Sequence, residues 1–119
     1  MFRALILEKT SDLATARLAD LDESILPVAD VTVAVEYSTL NYKDGLCLSP
    51  NGGGLVRHYP HIAGIDFAGT VRDSADPRYK PGDTVVLTGW RVGEAHWGGY
   101  ATLARVRADW LVPLPAGIT

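Results

Sequence analysis

The sequence predicts a mainly β domain built of short strands, and three observations carry that expectation. Twelve glycines and seven prolines punctuate the apolar segments. Sustained 3.6-residue periodicity is scarce. The clearest pattern sets Val31, Val33, Val35 and Tyr37 against Thr32, Ala34, Glu36 and Ser38, the two-residue period of a strand with one face inward and the other wetter.

The elements follow in order. Phe2 to Leu7 opens a strand, and Leu13 to Leu18 pairs with it through the polar turn Thr10-Ser11-Asp12. Val31 to Ser38 is the third strand. One helical turn is expected from near Asn41 to about Leu48, ended by Ser49-Pro50-Asn51-Gly52-Gly53-Gly54. Lys80-Pro81-Gly82-Asp83 puts Pro and Gly at the two centres of a type II turn, which launches Thr84 to Thr88, a run apolar enough for an interior strand. Tyr100 to Val106 and Leu111-Val112 supply the last strands, separated by Arg107-Ala108-Asp109. After Val112 the chain reads as a linker. Pro113-Leu114-Pro115-Ala116-Gly117 runs extended, because each Pro fixes its own φ and pushes the preceding residue out of the helical region. Thr119 is suited to cap a helix. Residues 1–112 are therefore expected to be one lobe of a longer enzyme, with residues 113–119 leading towards a second lobe.

Composition narrows the function. A chain of 119 residues buries roughly two thirds of the surface that its unfolded form exposes. A net charge of −3 with 21% charged residues argues against a nucleic-acid partner, which would want a basic stripe. The single Cys47 excludes an internal disulfide, and Met1 to Lys9 lacks the basic head, apolar stretch and cleavage site of a secretory leader, so a cytoplasmic location is expected. No apolar run approaches the length of a membrane span, so no membrane partner is expected either.

Several constellations carry candidate chemistry, each with a plainer explanation beside it. Asn41 and Asp44 have the spacing of a helix N-cap and its N3 partner, and also of residues flooring a cleft. Tyr42 and Lys43 then project from a rigid first turn. Tyr42 is either a reacting group or a packed aromatic. His58-Tyr59-Pro60-His61 with Cys47 and Asp66 invites a metal cluster, but Pro60 keeps the two histidines off one helical face, so solvated loop histidines are preferred. Gly52-Gly53-Gly54 is expected to be a mobile loop, or a lid over substrate. Trp90-Arg91 stands at a strand exit, where the guanidinium meets a phosphate or the tryptophan closes a barrel end. Gly98-Gly99 suits a bulge or tight bend better than a phosphate cradle. Gly64 to Gly69 has Walker-like spacing without the Lys and Ser/Thr that should follow, and no Gly-x-Gly-x-x-Gly is present.

Four stretches in order resemble one family: Ser38-Thr39-Leu40-Asn41-Tyr42-Lys43-Asp44, Gly64-Ile65-Asp66-Phe67-Ala68-Gly69-Thr70-Val71, Leu87-Thr88-Gly89-Trp90 and His96-Trp97-Gly98-Gly99, with a Leu114 to Gly117 exit. They are similar to the acryloyl-CoA reductase group of the medium-chain dehydrogenase/reductase superfamily, in its zinc-free, quinone-oxidoreductase-like branch. Where the superfamily's zinc alcohol dehydrogenases carry a ligating Cys and His, this chain has Asn41 and Ile65. Neither side chain offers the sulfur, imidazole or carboxylate donor that a catalytic zinc takes.

The resemblance implies a GroES-like, partly open β-barrel as catalytic lobe, a following Rossmann lobe, NADPH as hydride donor, no metal, and reduction of acryloyl-CoA to propionyl-CoA by a soluble cytoplasmic homodimer. It places Tyr42 beside the nicotinamide and Asn41 and Asp44 along the cleft, and Lys43 is a further cofactor-binding candidate. Hydride addition to the β-carbon pushes charge onto the thioester oxygen and leaves a carbanion to be protonated, so Tyr42, Asn41 and Lys43 are the candidate donors. Trp90 and Arg91 are the candidate substrate contacts. The lobe alone is not expected to turn over. Two rivals remain: the same chemistry on a quinone or small enone, and, from another class, a free-standing GroES-like binding module. Basic groups converging on a phosphate site would favour the coenzyme A ester.

Overall fold

The computed structural model describes residues 1–115. The first sheet begins with a hairpin. Strands β1 (Phe2–Thr10) and β2 (Leu13–Leu21) pair antiparallel from Phe2↔Leu21 to Thr10↔Leu13, so Ser11 and Asp12 alone make the turn. The short strand β4 (His61–Ile62) adds to the other edge of β1 through Ile6↔Ile62 and Leu7↔His61. The second sheet has the order β7-β3-β5-β6-β8, formed by β3 (Val31–Ser38), β5 (Asp66–Ser74), β6 (Thr84–Thr88), β7 (Leu103–Val106) and β8 (Leu111–Pro113), all antiparallel. Among the described residues there is one α-helix, α1 (Tyr42–Leu48), besides three short 3-10 turns.

The expected turn before β6 is present. Gly82 takes φ +97° and the Asp83 N–H donates to Lys80 O at 3.1 Å. The buried apolar side chains of the described residues form three clusters. Val31, Val33, Phe67, Val71, Val85 and Leu87 fill the larger sheet's core, Phe2, Ala4, Ile6 and Ile62 pack with Leu103 of β7, and Cys47 of α1 packs on Leu7, Val56 and Ala63. None of the helices among the described residues is long and apolar enough to cross a membrane.

The structure corrects three expectations about strands. Tyr100 to Thr102 is not part of β7. This stretch spans the gap between the sheets, the Leu5 N–H donating to Tyr100 O at 2.9 Å and the Val35 N–H to Thr102 O at 3.0 Å. It bonds to both sheets, with a single isolated bridge from Ala101 to Ala4 of β1, which is how the barrel is partly closed. The alternation along β3 also fails at both ends. Thr32 is buried, its hydroxyl accepting Arg105 Nε at 2.9 Å, and Tyr37 is 70% exposed. Irregular pairing between Thr32 and Val33 and between Val35 and Tyr37 resets which face points inward. Finally, the sheet runs past the expected linker boundary at Val112: Pro113 pairs with Val85 and the Leu114 N–H reaches Thr84 O at 2.9 Å. The rest of the extended segment, Ala116 and Gly117, and the capping position at Thr119 lie outside the described residues.

Candidate active site

The site is built on the register of the larger sheet. Ser38 pairs with Phe67, Phe67 with Leu87, and Asp66 with Thr88. The chain therefore leaves β3 and β6 at the same end of the sheet where it enters β5, and the segments carrying Asn41, Ile65 and Trp90 emerge side by side. Tyr37, Leu40, Tyr42 and Trp90, all large and all more than 60% exposed, stand at this end.

Asn41 caps α1 in extended conformation (φ −117°, ψ 165°), and Asp44 at N3 reaches back to accept the Asn41 N–H at 3.0 Å, the geometry of a capping box. The Asp44 carboxylate is fully buried, and its second oxygen accepts the Ile65 N–H at 2.9 Å. One side chain thus locks the helix start to the entry of β5. Gly64 makes that possible: it sits at φ +106°, and a Cβ there would lie 2.7 Å from the backbone nitrogen of Tyr100. The Asn41 amide donates to Asp66 Oδ2 at 3.1 Å and Thr39 Oγ1 at 3.0 Å. Tyr100 closes the floor by donating its hydroxyl to Thr39 O at 2.8 Å, and burial, with the Asp44 charge beside it, pushes its pKa up to about 12. The Tyr100 phenol is a neutral donor across the working pH range.

Lys43 and the Trp90-Arg91 loop form the wall. Gly89, Trp90 and Arg91 take left-handed φ values of +78°, +59° and +60°, a conformation that costs an ordinary side chain about 1–2 kcal/mol. Glu94, only 7% exposed, binds Lys43 Nζ at 3.0 Å and Arg91 Nε at 3.4 Å and so ties the loop to the first turn of α1. Burial raises the Glu94 pKa, but the hydrogen bonds from Lys43 and Arg91 outweigh it and leave the carboxyl below its ordinary value. Between loop and helix lies a cleft of about 310 Å³ lined by Lys43, Ile65, Trp90, Arg91 and Glu94.

Of the sequence-predicted residues, Lys43, Trp90 and Arg91 share this cleft, Asn41 and Asp44 form its foundation, and Tyr42 projects from the same turn with 84% exposure. Tyr100 and Glu94 were missed, and Asp66 was weighed only as a metal ligand. Asp66 had a signal in standing beside Ile65, and Glu94 in lying three residues after Arg91. The histidines divide. His58 is exposed as expected, but His61 is buried against Gly93 O at 2.7 Å, and burial lowers its pKa. Gly52 to Gly54 form a short 3-10 turn packed on α1, where a Cβ on Gly53 would lie 2.6 Å from Leu46 Cβ. Gly98-Gly99 is the expected bend, the Gly98 N–H donating to Ile62 O at 2.7 Å. Among the described residues, no three His, Cys, Asp or Glu side chains are grouped to hold a metal ion.

Fold and cleft define a barrel lobe with a cleft at one end of its larger sheet. The chain belongs to the alcohol dehydrogenase GroES-like domain family, whose model matches residues 28–116. It is 67% identical over 120 residues to acrylyl-CoA reductase AcuI of Ruegeria pomeroyi, covering 99% of this chain and 36% of that protein. It is 44% identical over 119 residues to putative quinone oxidoreductase YhfP of Bacillus subtilis, covering 100% of this chain and again 36% of the relative. The fold matches the crystal structure of the yhdH oxidoreductase from Salmonella enterica in complex with NADP at TM-score 0.94 and 56% identity, over 98% of this chain and 36% of that one. The chain thus spans about a third of the length of these relatives, and the resemblance read from its four motifs is borne out.

Proposed function

We propose that this chain is the substrate-side lobe of an NADPH-dependent reductase that converts acrylyl-CoA to propionyl-CoA without a metal, in a cytoplasmic homodimer whose second lobe is a Rossmann domain. One observation carries the reading. A capped helix presents Tyr42 and Lys43 on the same end of the sheet as the Trp90-Arg91 wall, in a chain 67% identical to an acrylyl-CoA reductase.

The surface suits a nicotinamide: Tyr42, Leu40 and Trp90 all expose large apolar side chains at this end of the sheet. When bound, a nicotinamide cofactor supplies the hydride. The residues of this lobe do the rest. Tyr42 packs against the ring and offers its hydroxyl to the thioester oxygen as charge develops there. Asn41, its amide anchored by Asp66, and Asp44 hold the turn rigid. Lys43, paired with Glu94, delivers a proton at the α-carbon. Trp90 and Arg91 bind the substrate. Asn41 and Ile65 occupy the zinc-ligand positions with side chains that bind zinc poorly, which supports metal-free chemistry. The net charge of −3 supports the absence of a nucleic-acid partner.

The YhfP relative keeps a quinone in view as the rival substrate. Steady-state kcat/KM of the full-length enzyme on acrylyl-CoA and on a simple benzoquinone, with NADPH, decides between them. A preference for the thioester of at least tenfold is expected, and a preference for the quinone would overturn the reading.

A further inference from the structure

A second cleft, about 270 Å³ in volume, lies on the far side of Arg91 and Glu94 and is lined by Arg57, His58, His61 and Trp97 as well as by those two. We propose that it is a phosphate subsite, which takes the nucleotide end of the coenzyme A thioester while the acyl end reaches the cleft beside Lys43. The inference rests on the function proposed above.

The charge arrangement carries it. Among the described residues every arginine but Arg57 is tied to a partner: Arg3 to Asp20, Arg17 to Glu8, Arg72 to Glu23, Arg78 to Asp76 and Asp109, Arg91 to Glu94, Arg105 to the Thr32 hydroxyl and Arg107 to Asp109. Arg57 has no carboxylate in range among the described residues, and it faces this cleft. The one carboxylate there, Glu94, is already shared by Lys43 and Arg91. It leaves the Arg57 guanidinium uncompensated. Arg91 reaches Glu94 through Nε, so its terminal N–H donors remain available in the fork that matches a phosphate. Trp97, its indole N–H held on Pro60 O at 3.2 Å, with Leu55 and Pro60, adds an apolar wall beside the charges. Two arginines lining one cleft beside an aromatic wall suit a nucleotide phosphate and give nothing to a quinone.

The basic groups scattered through the sequence thus sort themselves. Arg72 and Arg78 serve surface ion pairs, whereas Arg57 and Arg91 line one cleft. Arg91 and Glu94 also line the cleft beside Lys43, so they form the partition past which an extended substrate would run.

The test compares two thioesters in the full-length enzyme: acrylyl-CoA and acrylyl-pantetheine, which lacks the nucleotide. Arg57→Ala is expected to raise KM for acrylyl-CoA roughly tenfold, the scale of one charge-assisted contact at an exposed site, with the ratio of the two thioester KM values changing by the same factor. Arg57→Lys should recover part of the loss, and the wild-type KM for acrylyl-CoA should rise with salt. Arg17→Ala, which removes a cation from the outer face of β2, should change neither KM. Equal increases for both thioesters, an increase in KM for NADPH in place of acrylyl-CoA, or no change would each overturn the subsite. Failure of the unsubstituted enzyme to reduce either thioester would instead sink the functional reading, and the subsite with it.

Discussion

Replacing Asp44 by Ala removes the side chain that joins the start of α1 to the entry of β5. Its carboxylate accepts two backbone N–H groups, from Asn41 at 3.0 Å and Ile65 at 2.9 Å, from a fully buried position. Leaving a buried donor without a partner costs about 1–3 kcal/mol. Asn41 and Ile65 are themselves only partly buried. Water can reach their amides in part, so the lower half of that range applies, and Asp44→Ala should destabilise the chain by about 2–4 kcal/mol. Asp44→Asn keeps one acceptor oxygen and should cost about half as much. Urea unfolding followed by tryptophan fluorescence reads both variants. With a slope of about 2 kcal/mol per molar, the Asp44→Ala midpoint should fall by roughly 1–2 M. A shift below about 0.3 M, or equal losses in both variants, would refute the assignment of Asp44 as an acceptor anchor.

Two further outcomes follow from local chemistry. Gly45 lies inside α1 with open space where a Cβ would stand, so Gly45→Ala should stabilise the chain by about 0.5–1 kcal/mol in the same urea experiment. His61 is buried, and its folded pKa is lowered from the ordinary 6.5, chiefly by burial. Above pH 6.5 both folded and unfolded forms are neutral; as pH falls below it the unfolded chain takes up a proton that the folded chain refuses. Stability is therefore retained above about pH 6.5 and lost below it with a slope of at most about 1.4 kcal/mol per pH unit, and His61→Gln should flatten that part of the stability profile.

The features legible in the sequence are those whose causes are local. The β1–β2 turn, the Asn41 cap with Asp44 at N3 and the Pro81-Gly82 turn each depend on residues within a few positions of one another. What stayed hidden depends on partners far along the chain. Tyr100 to Thr102 has strand-like composition, but its hydrogen bonds go to β1 and β3 at once. The inward face of β3 was misread because bulges against β5 shift its register, and a two-residue pattern cannot show an extra residue opposite it. His61 looked like a solvated loop residue until β4 placed it beside β1 and under Gly93. The site divides in the same way. Asn41 to Asp44 and Trp90-Arg91 announced themselves as motifs, whereas Glu94 acquires meaning only when folding brings it to Lys43.

The central claim is reduction of an enoyl thioester without a bound cation, on a lobe whose zinc-ligand positions hold Asn41 and Ile65. The most direct measurement is the rate of NADPH-dependent acrylyl-CoA reduction by the full-length enzyme before and after exhaustive chelation, with bound metal quantified in the same samples. An unchanged rate at well under one metal per chain is predicted. A rate that collapses on chelation and returns with zinc would contradict the account.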